Sequence, residues 1–303
     1  MGWARRFAAA GFRSLRSAIW PTSGSVTRRT LVALALLFAG CVAEDFFWTG
    51  PRTDAYDFEG LPAERLEERE LEAPTGERVA ALWIAPPDPA APVVLFLHGA
   101  GTNLERSVPR LEALVALEVG VFAIDYRGFG RSEGDASERR SYEDGDLAWA
   151  TLVGELAVPP ERVVVYGHSM GGAVATHVAQ GRAPRALIVE SSVASGAAAV
   201  ESVAWVTDEP GLVLEGEWDS EARIATLGPF PKAILHGTED RTFPAWNGER
   251  LAEAASAPVT LHLFEGGSHT NLPLETNAAW REAFCCAAMD PAEAESRCET
   301  RCP

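Results

Sequence analysis

Basic charge is in short supply in this 303-residue sequence: 26 Lys and Arg face 43 Asp and Glu, a formal net charge of −17. The shortage is uneven. Residues 1–40 hold six arginines and no acid, so everything from Cys41 onward has 20 bases against 43 acids, or −23. A nucleic-acid backbone is thereby excluded as a partner, since phosphate binding needs clustered Lys and Arg. A long apolar run is missing too. The best, Thr30–Gly40, is roughly half the ~20 residues a transmembrane helix requires. Cysteine is absent between positions 42 and 284, no histidine follows His269, and no internal repeat is visible. What is there, 47% hydrophobic, 9% aromatic and 23% charged residues, is the composition of a globular protein. The length lies between one domain and two.

A basic segment in front of an acidic body reads as a targeting sequence. Arg28-Arg29 leads into Thr30–Gly40, which ends at Phe38-Ala39-Gly40-Cys41. The segment resembles a bacterial lipoprotein signal, whose lipobox ends in the cysteine that becomes lipidated; Phe38 stands where that family usually has Leu. The resemblance implies a signal peptide over 1–40, lipidation of Cys41, and a tether over 41–60. It also implies a membrane-anchored protein facing the periplasm or exterior of a bacterial cell envelope. An ordinary secretory signal with a free Cys41, or an uncleaved anchor, is the alternative.

Cys285, Cys286, Cys298 and Cys302 lie within the last nineteen residues. In an exported chain four cysteines suggest two disulfides. A bridge between the neighbours Cys285 and Cys286 is strained, so each is expected to pair with Cys298 or Cys302. A zinc site is the competing reading, but it wants Cys-x2-Cys spacing or a nearby histidine. No metal is expected.

Arg65–Glu72 and Arg78–Ile84 flank a Pro74-Thr75-Gly76 turn and read as antiparallel strands at a sheet edge. Beyond Pro86-Pro87 the pattern changes to short, fully apolar runs: Val93–Leu97, Val119–Ile124, Arg162–Tyr166, Ala186–Val189, Ala233–Leu235 and Val259–Phe264. Helix candidates lie between several of them: Leu104–Glu118, Tyr142–Leu156, Met170–Ala179 and Trp246–Ala255. Apolar strands alternating with helices indicate an α/β fold, a mostly parallel sheet with helices on both faces. Ligands bind such sheets outside the carboxyl ends of the strands.

Gly167-His168-Ser169-Met170-Gly171-Gly172 stands at such an end, after a strand and before an Ala/Val-rich helix. This is G-x-S-x-G in the context that makes the serine a nucleophile, on a turn tight enough to need glycine neighbours. A serine hydroxyl needs a base, and the base an orienting acid. With chain order Ser, acid, His, the base is His269 in the Glu265–Asn271 loop; His262, inside a strand, reads as a sheet histidine. Asp240, after the Ala233–Leu235 strand, is the expected acid, with Glu190 an outside candidate and Glu239 pointing elsewhere. The oxyanion hole should combine the N–H groups of Met170 and Ala100. His98 is expected to shape the Ala100 loop. Asp125–Ser132 reads as a structural turn.

Four motifs in order, L-H-G-A-G, D-Y-R-G-F-G-R-S, G-H-S-M-G-G and H-G-T-E-D with a later S-H, resemble the α/β-hydrolase family over roughly residues 61–289. The resemblance is greatest to small-cap serine hydrolases: serine aminopeptidase-type proteins, monoacylglycerol lipases and acyl-protein depalmitoylases. It implies an α/β-hydrolase fold and a short cap near residues 190–230 with Trp205 and Trp218; the cysteines mark residues 290–303 as a separate cysteine-containing tail. It further implies hydrolysis of an ester, thioester or amide through an acyl-enzyme, without a cofactor. The expected partners are a small-molecule or lipid acyl substrate and, through the anchor, a membrane; the oligomeric state stays open. Ser169 argues against haloalkane dehalogenases and epoxide hydrolases, which carry Asp there. A serine peptidase or amidase of the same fold, or a non-catalytic binding scaffold, is the alternative; scaffolds usually lose Ser, acid or His.

Overall fold

The computed structural model describes residues 50–207, 217–272, 278–300 and 302. The signal segment over 1–40, residues 41–49 of the tether with Cys41, and residues 208–216 of the expected cap lie outside the described residues. Eight strands form one sheet: β1 (Leu66–Glu72), β2 (Arg78–Ile84), β3 (Val93–Leu97), β4 (Gly120–Ile124), β5 (Val163–His168), β6 (Ala186–Glu190), β7 (Lys232–Gly237) and β8 (Val259–Phe264). Their spatial order is β1-β2-β4-β3-β5-β6-β7-β8. β1 and β2 pair antiparallel at one edge, as does β2 with β4, and the rest of the sheet is parallel.

The apolar runs become central strands because both of their faces are covered. Leu95, Leu97, Val163, Val165, Leu187 and Val189 face one core, and Val94, Phe96, Val164, Tyr166, Ala186 and Ile188 face the other. On the first side pack α2 (Glu138–Ala150), α3 (Met170–Ala179), α5 (Ser220–Ala225) and α6 (Trp246–Ala254); on the second, α1 (Val108–Val115), α7 (Ala278–Ala288) and α8 (Pro291–Cys298). α4 (Gly196–Thr207) and α5 lie in the segment expected to be a cap.

Several elements differ from the sequence expectation. Leu104–Glu118 is not one helix: a 3-10 turn over Glu105–Ser107 precedes α1, whose Pro109 is tolerated in the first turn. α2 starts four residues before Tyr142, because Ser137 caps it by accepting the Arg140 N–H. The cysteines do not all lie beyond the last helix. Cys285 and Cys286 sit in α7, and Cys298 closes α8, which Asp290 and Glu293 start with a capping box. Cys285 is bonded to Cys298 and Cys286 to Cys302, which ties the two terminal helices together.

Chain direction across the sheet reverses at β3: the next strand, β4, lies on one side of it and β5 on the other. In an open α/β sheet such a switch point opens a crevice at the strands' carboxyl ends. The loops after β3 and β5 begin there, with Leu97 opposite Gly167.

Candidate active site

Ser169 occupies the turn between β5 and α3 with φ 56° and ψ −124°. A non-glycine residue in this region is strained, by on the order of 1–3 kcal/mol. Two backbone bonds hold it: the Ser169 N–H donates to Glu190 O at 2.9 Å, and the Gly172 N–H donates to Ser169 O at 3.0 Å. The glycine neighbours expected from the motif have a steric cause. A Cβ on Gly171 would lie 2.0 Å from Leu97 O, and one on Gly99 would lie 2.8 Å from Ser169 Cβ. The α3 start is thus pressed against the end of β3, and the post-β3 loop against the serine.

His269 Nε2 lies 2.9 Å from Ser169 Oγ, and His269 Nδ1 lies 2.8 Å from Asp240 Oδ2. Residues 100 and 29 positions apart meet because the loops after β5, β7 and β8 all end at one rim of the sheet. The Glu239 N–H donates to Gly267 O at 2.8 Å, joining the last two loops. Asp240 is buried, and its Oδ1 accepts the Thr242 and Phe243 N–H groups at 2.8 and 2.9 Å. Burial pushes the carboxyl up, but the imidazoles of His236 and His269 outweigh it and hold it well below the usual carboxylate range. His236 Nε2 is 3.4 Å from Asp240 Oδ2, yet its better partner is Phe243 O at 2.7 Å. An ionised carboxylate so placed favours the imidazole tautomer that carries Nδ1–H and leaves Nε2 free to accept a proton.

Met170 opens α3, so its N–H has no partner inside the helix. Ala100 lines the same cavity of about 380 Å³ as Ser169 and His269. His98 holds that loop through Nδ1 to Gly99 O at 2.7 Å; its Nε2 sits 3.1 Å from Asp125 Oδ1, off the hydrogen-bonding direction. In the Asp125–Ser132 turn, Tyr126 OH donates to His98 O, and Arg127 is buried against Asp144 at 2.7 Å.

The residues left aside stay aside. Glu239 is exposed. Glu190 is buried and held by Arg110, by Tyr166 OH at 2.6 Å and by Trp280 Nε1 at 2.8 Å, and does not reach His269. His262 lies on β8 in a separate cavity of about 630 Å³, none of whose lining residues is Ser169, His269 or Asp240. Among the described residues no cluster of His, Cys, Asp and Glu is arranged to hold a metal ion.

Two features escaped the sequence reading. His168 lies 2.8 Å through Nε2 from His269 O, fixing the histidine loop from below. Burial, then the nearby Arg110 and His269, press its imidazole well below the ordinary histidine range, so it stays neutral. The Arg110–Glu190 pair behind it joins side chains 80 residues apart. A histidine in the free position of G-x-S-x-G and an arginine in an expected helix carry no local signal.

A model of the alpha/beta hydrolase family matches residues 94–232. The uncharacterized protein YfhR of Escherichia coli K12 is 30% identical over 247 residues, 79% of this chain and 84% of that protein. The human alpha/beta hydrolase domain-containing protein 17B is 28% identical over 202 residues, 66% of this chain and 67% of that one. Two solved structures share the fold at low identity. An alpha-beta hydrolase from Vibrio vulnificus has a TM-score of 0.62 at 20% identity, covering 86% of this chain and 94% of its own. The Pyrococcus furiosus esterase Pf2001 has a TM-score of 0.59 at 17%, covering 77% and 92%. Eight strands in hydrolase order, a strained serine at the switch point and these relatives agree: the chain belongs to the alpha/beta hydrolase family.

Proposed function

We propose that this hydrolase is a serine esterase that cleaves carboxylic ester or thioester bonds of acyl substrates. One observation carries the reading: the unbroken hydrogen-bonded chain from Ser169 Oγ through His269 to the Asp240 carboxylate. Ser169 Oγ attacks the acyl carbon while its proton passes to His269 Nε2, and Asp240 steadies the imidazolium. The carbonyl oxygen becomes an oxyanion between the Met170 and Ala100 N–H groups. The C–O or C–S bond then breaks, and the leaving group takes the proton from His269. Water repeats the sequence on the acyl-enzyme, so ester and water yield acid and alcohol. The human relative's name and the Pyrococcus esterase agree with this class of chemistry. A fluorophosphonate probe tests the reading. It should label Ser169 in the wild type, and Ser169→Ala should lose both the label and several orders of magnitude in p-nitrophenyl ester hydrolysis. A folded Ser169→Ala protein that hydrolyses at the wild-type rate overturns it.

We propose further that Cys41 is lipidated and holds the enzyme on a membrane of the bacterial cell envelope. Support comes from the Arg28-Arg29, apolar run and F-A-G-C order, and from the two cystines, which suit an oxidising compartment. Detergent phase partitioning decides it: wild type should enter the detergent phase and Cys41→Ala should not. Identical partitioning of both into the aqueous phase refutes the anchor.

A further inference from the structure

The cavity that holds Ser169 and His269 has a charge opposite to the rest of the protein. Its described lining includes Arg106 and Arg110 and no Asp or Glu, in a chain where acids outnumber bases 43 to 26. The two arginines differ in state. Arg110 is buried and spent on Glu190 and Tyr166, so it adds little net charge. Arg106 is exposed, and its guanidinium has no hydrogen bond or ion pair among the described residues. Most other arginines of the described body are engaged. Arg78, Arg127, Arg131, Arg182 and Arg250, for example, are each paired with a carboxylate.

The backbone that presents Arg106 is fixed. Its own N–H donates to the Asn103 side chain at 2.9 Å, and Ser107 Oγ donates to Asn103 O at 2.7 Å. Asn103 is itself buried and bonded to Pro51 O. An unpaired cation on a rigid 3-10 turn, in the wall of the nucleophile's own cavity, presents five donors in a planar fork to whatever enters. The acidic body does not cancel this attraction. At physiological ionic strength charges beyond about 8 Å are largely screened, so the groups lining the cavity dominate.

We infer that the substrate is an anionic ester, with a carboxylate, phosphate or sulfonate on its acyl or alcohol part that Arg106 binds while Ser169 attacks. This rests on the serine-esterase reading and adds a specificity residue to it. Two matched ester pairs test it: 4-nitrophenyl pentanoate against mono-4-nitrophenyl glutarate, with the charge on the acyl part, and phenyl butyrate against the butyrate of 4-hydroxybenzenesulfonate, with the charge on the alcohol. The readout is the ratio of kcat/KM for the charged ester to that for the neutral one. Arg106→Gln should lower this ratio about tenfold in one of the two arms, and Arg106→Glu should lower it further. In that arm the wild-type KM for the charged ester should rise with added salt. Arg241, the other arginine whose side chain makes no interaction among the described residues, is the control, and Arg241→Gln should leave the ratio in place. A ratio unmoved in both arms by both Arg106 substitutions overturns the proposal, and so does an equal fall in Arg241→Gln, which would mean a diffuse charge effect. Ser169→Ala separates the two readings. If it stays active, the esterase assignment has failed; if it is inactive while the ratio never moves, only the anionic-substrate proposal has failed.

Discussion

Asp240→Asn removes one charge and no volume, and the structure dictates what the amide must then do. Asp240 Oδ1 accepts two backbone N–H groups, from Thr242 at 2.8 Å and Phe243 at 2.9 Å, while Oδ2 faces His269 Nδ1 at 2.8 Å. An asparagine can satisfy both backbone donors only with its carbonyl oxygen, so its NH2 is forced toward His269. Nδ1 must then accept, the imidazole proton moves to Nε2, and Nε2 can no longer take the proton of Ser169 Oγ. The opposite amide orientation would set NH2 against two N–H donors in a buried pocket, a loss of two hydrogen bonds at about 1–3 kcal/mol each. The wrong tautomer therefore dominates. A comparable change in the best-studied triad lowers kcat about 10⁴-fold, which is about 5.5 kcal/mol of barrier. The assay is kcat/KM on a p-nitrophenyl ester together with the rate of fluorophosphonate labelling, both of which need the same proton transfer. Glu239→Gln, an exposed neighbour, should change either by no more than about twofold. A folded Asp240→Asn enzyme within tenfold of wild type would refute the tautomer argument.

Three further outcomes follow from the same geometry. Because His168 is held neutral by burial, the native state binds no proton there while the unfolded chain does below its ordinary value near ~6.5, so stability is lost as pH falls; the gap in urea-unfolding free energy between wild type and His168→Gln should narrow by about 1.4 kcal/mol from pH 7.5 to 5.5, and a constant gap refutes this. Arg110→Met leaves the Glu190 carboxylate buried without its cation, which should cost about 3 kcal/mol, at the low end of ~3–5 because Tyr166 and Trp280 still donate; Arg110→Met with Glu190→Gln should recover part of it, and a loss below 1 kcal/mol for the single change contradicts the pairing. The cystines span 13 and 16 residues, so the chain-entropy account gives each about 3 kcal/mol; Cys286→Ser should lower the unfolding free energy by about that much, and four alkylatable thiols in unreduced, exported protein would rule the bridges out.

The central strands were legible because a parallel strand buried on both faces has no polar positions, and Val93–Leu97 and Val121–Ile124 carry that pattern without interruption; Val259–Phe264, with Thr260 and His262 in it, is instead an edge strand and largely exposed. Ser169, Asp240 and His269 could be singled out because each stands in the turn or loop after a strand, where such sheets bind ligands. What the sequence hid is non-local or helical. α7 repeats Trp280, Ala283, Phe284 and Ala288 on one buried face, yet it was not among the expected helices, the last of which was Trp246–Ala255. The 3-10 turn that carries Arg106 looked like the start of a longer helix. Arg110 and Glu190 give no sign of each other at a separation of 80 residues.

The strain at Ser169 shows how these hidden parts bear on the visible ones. A serine held at φ 56° could relax toward an ordinary conformation only by breaking its N–H bond to Glu190 O or moving the end of β6. That end is immobilised by the Glu190 side chain, which three donors hold: Arg110, Tyr166 and Trp280. Its neighbour in the turn, His168, is bonded to the His269 carbonyl, so any shift of the serine also displaces the histidine loop. One buried polar network thus fixes Ser169 from the β6 side and His269 from below. The strain of about 1–3 kcal/mol is small against the cost of opening that network, where leaving a buried charge unpaired alone costs about 3–5 kcal/mol. The serine therefore keeps its high-energy conformation without substrate, and Oγ stays in reach of His269 Nε2.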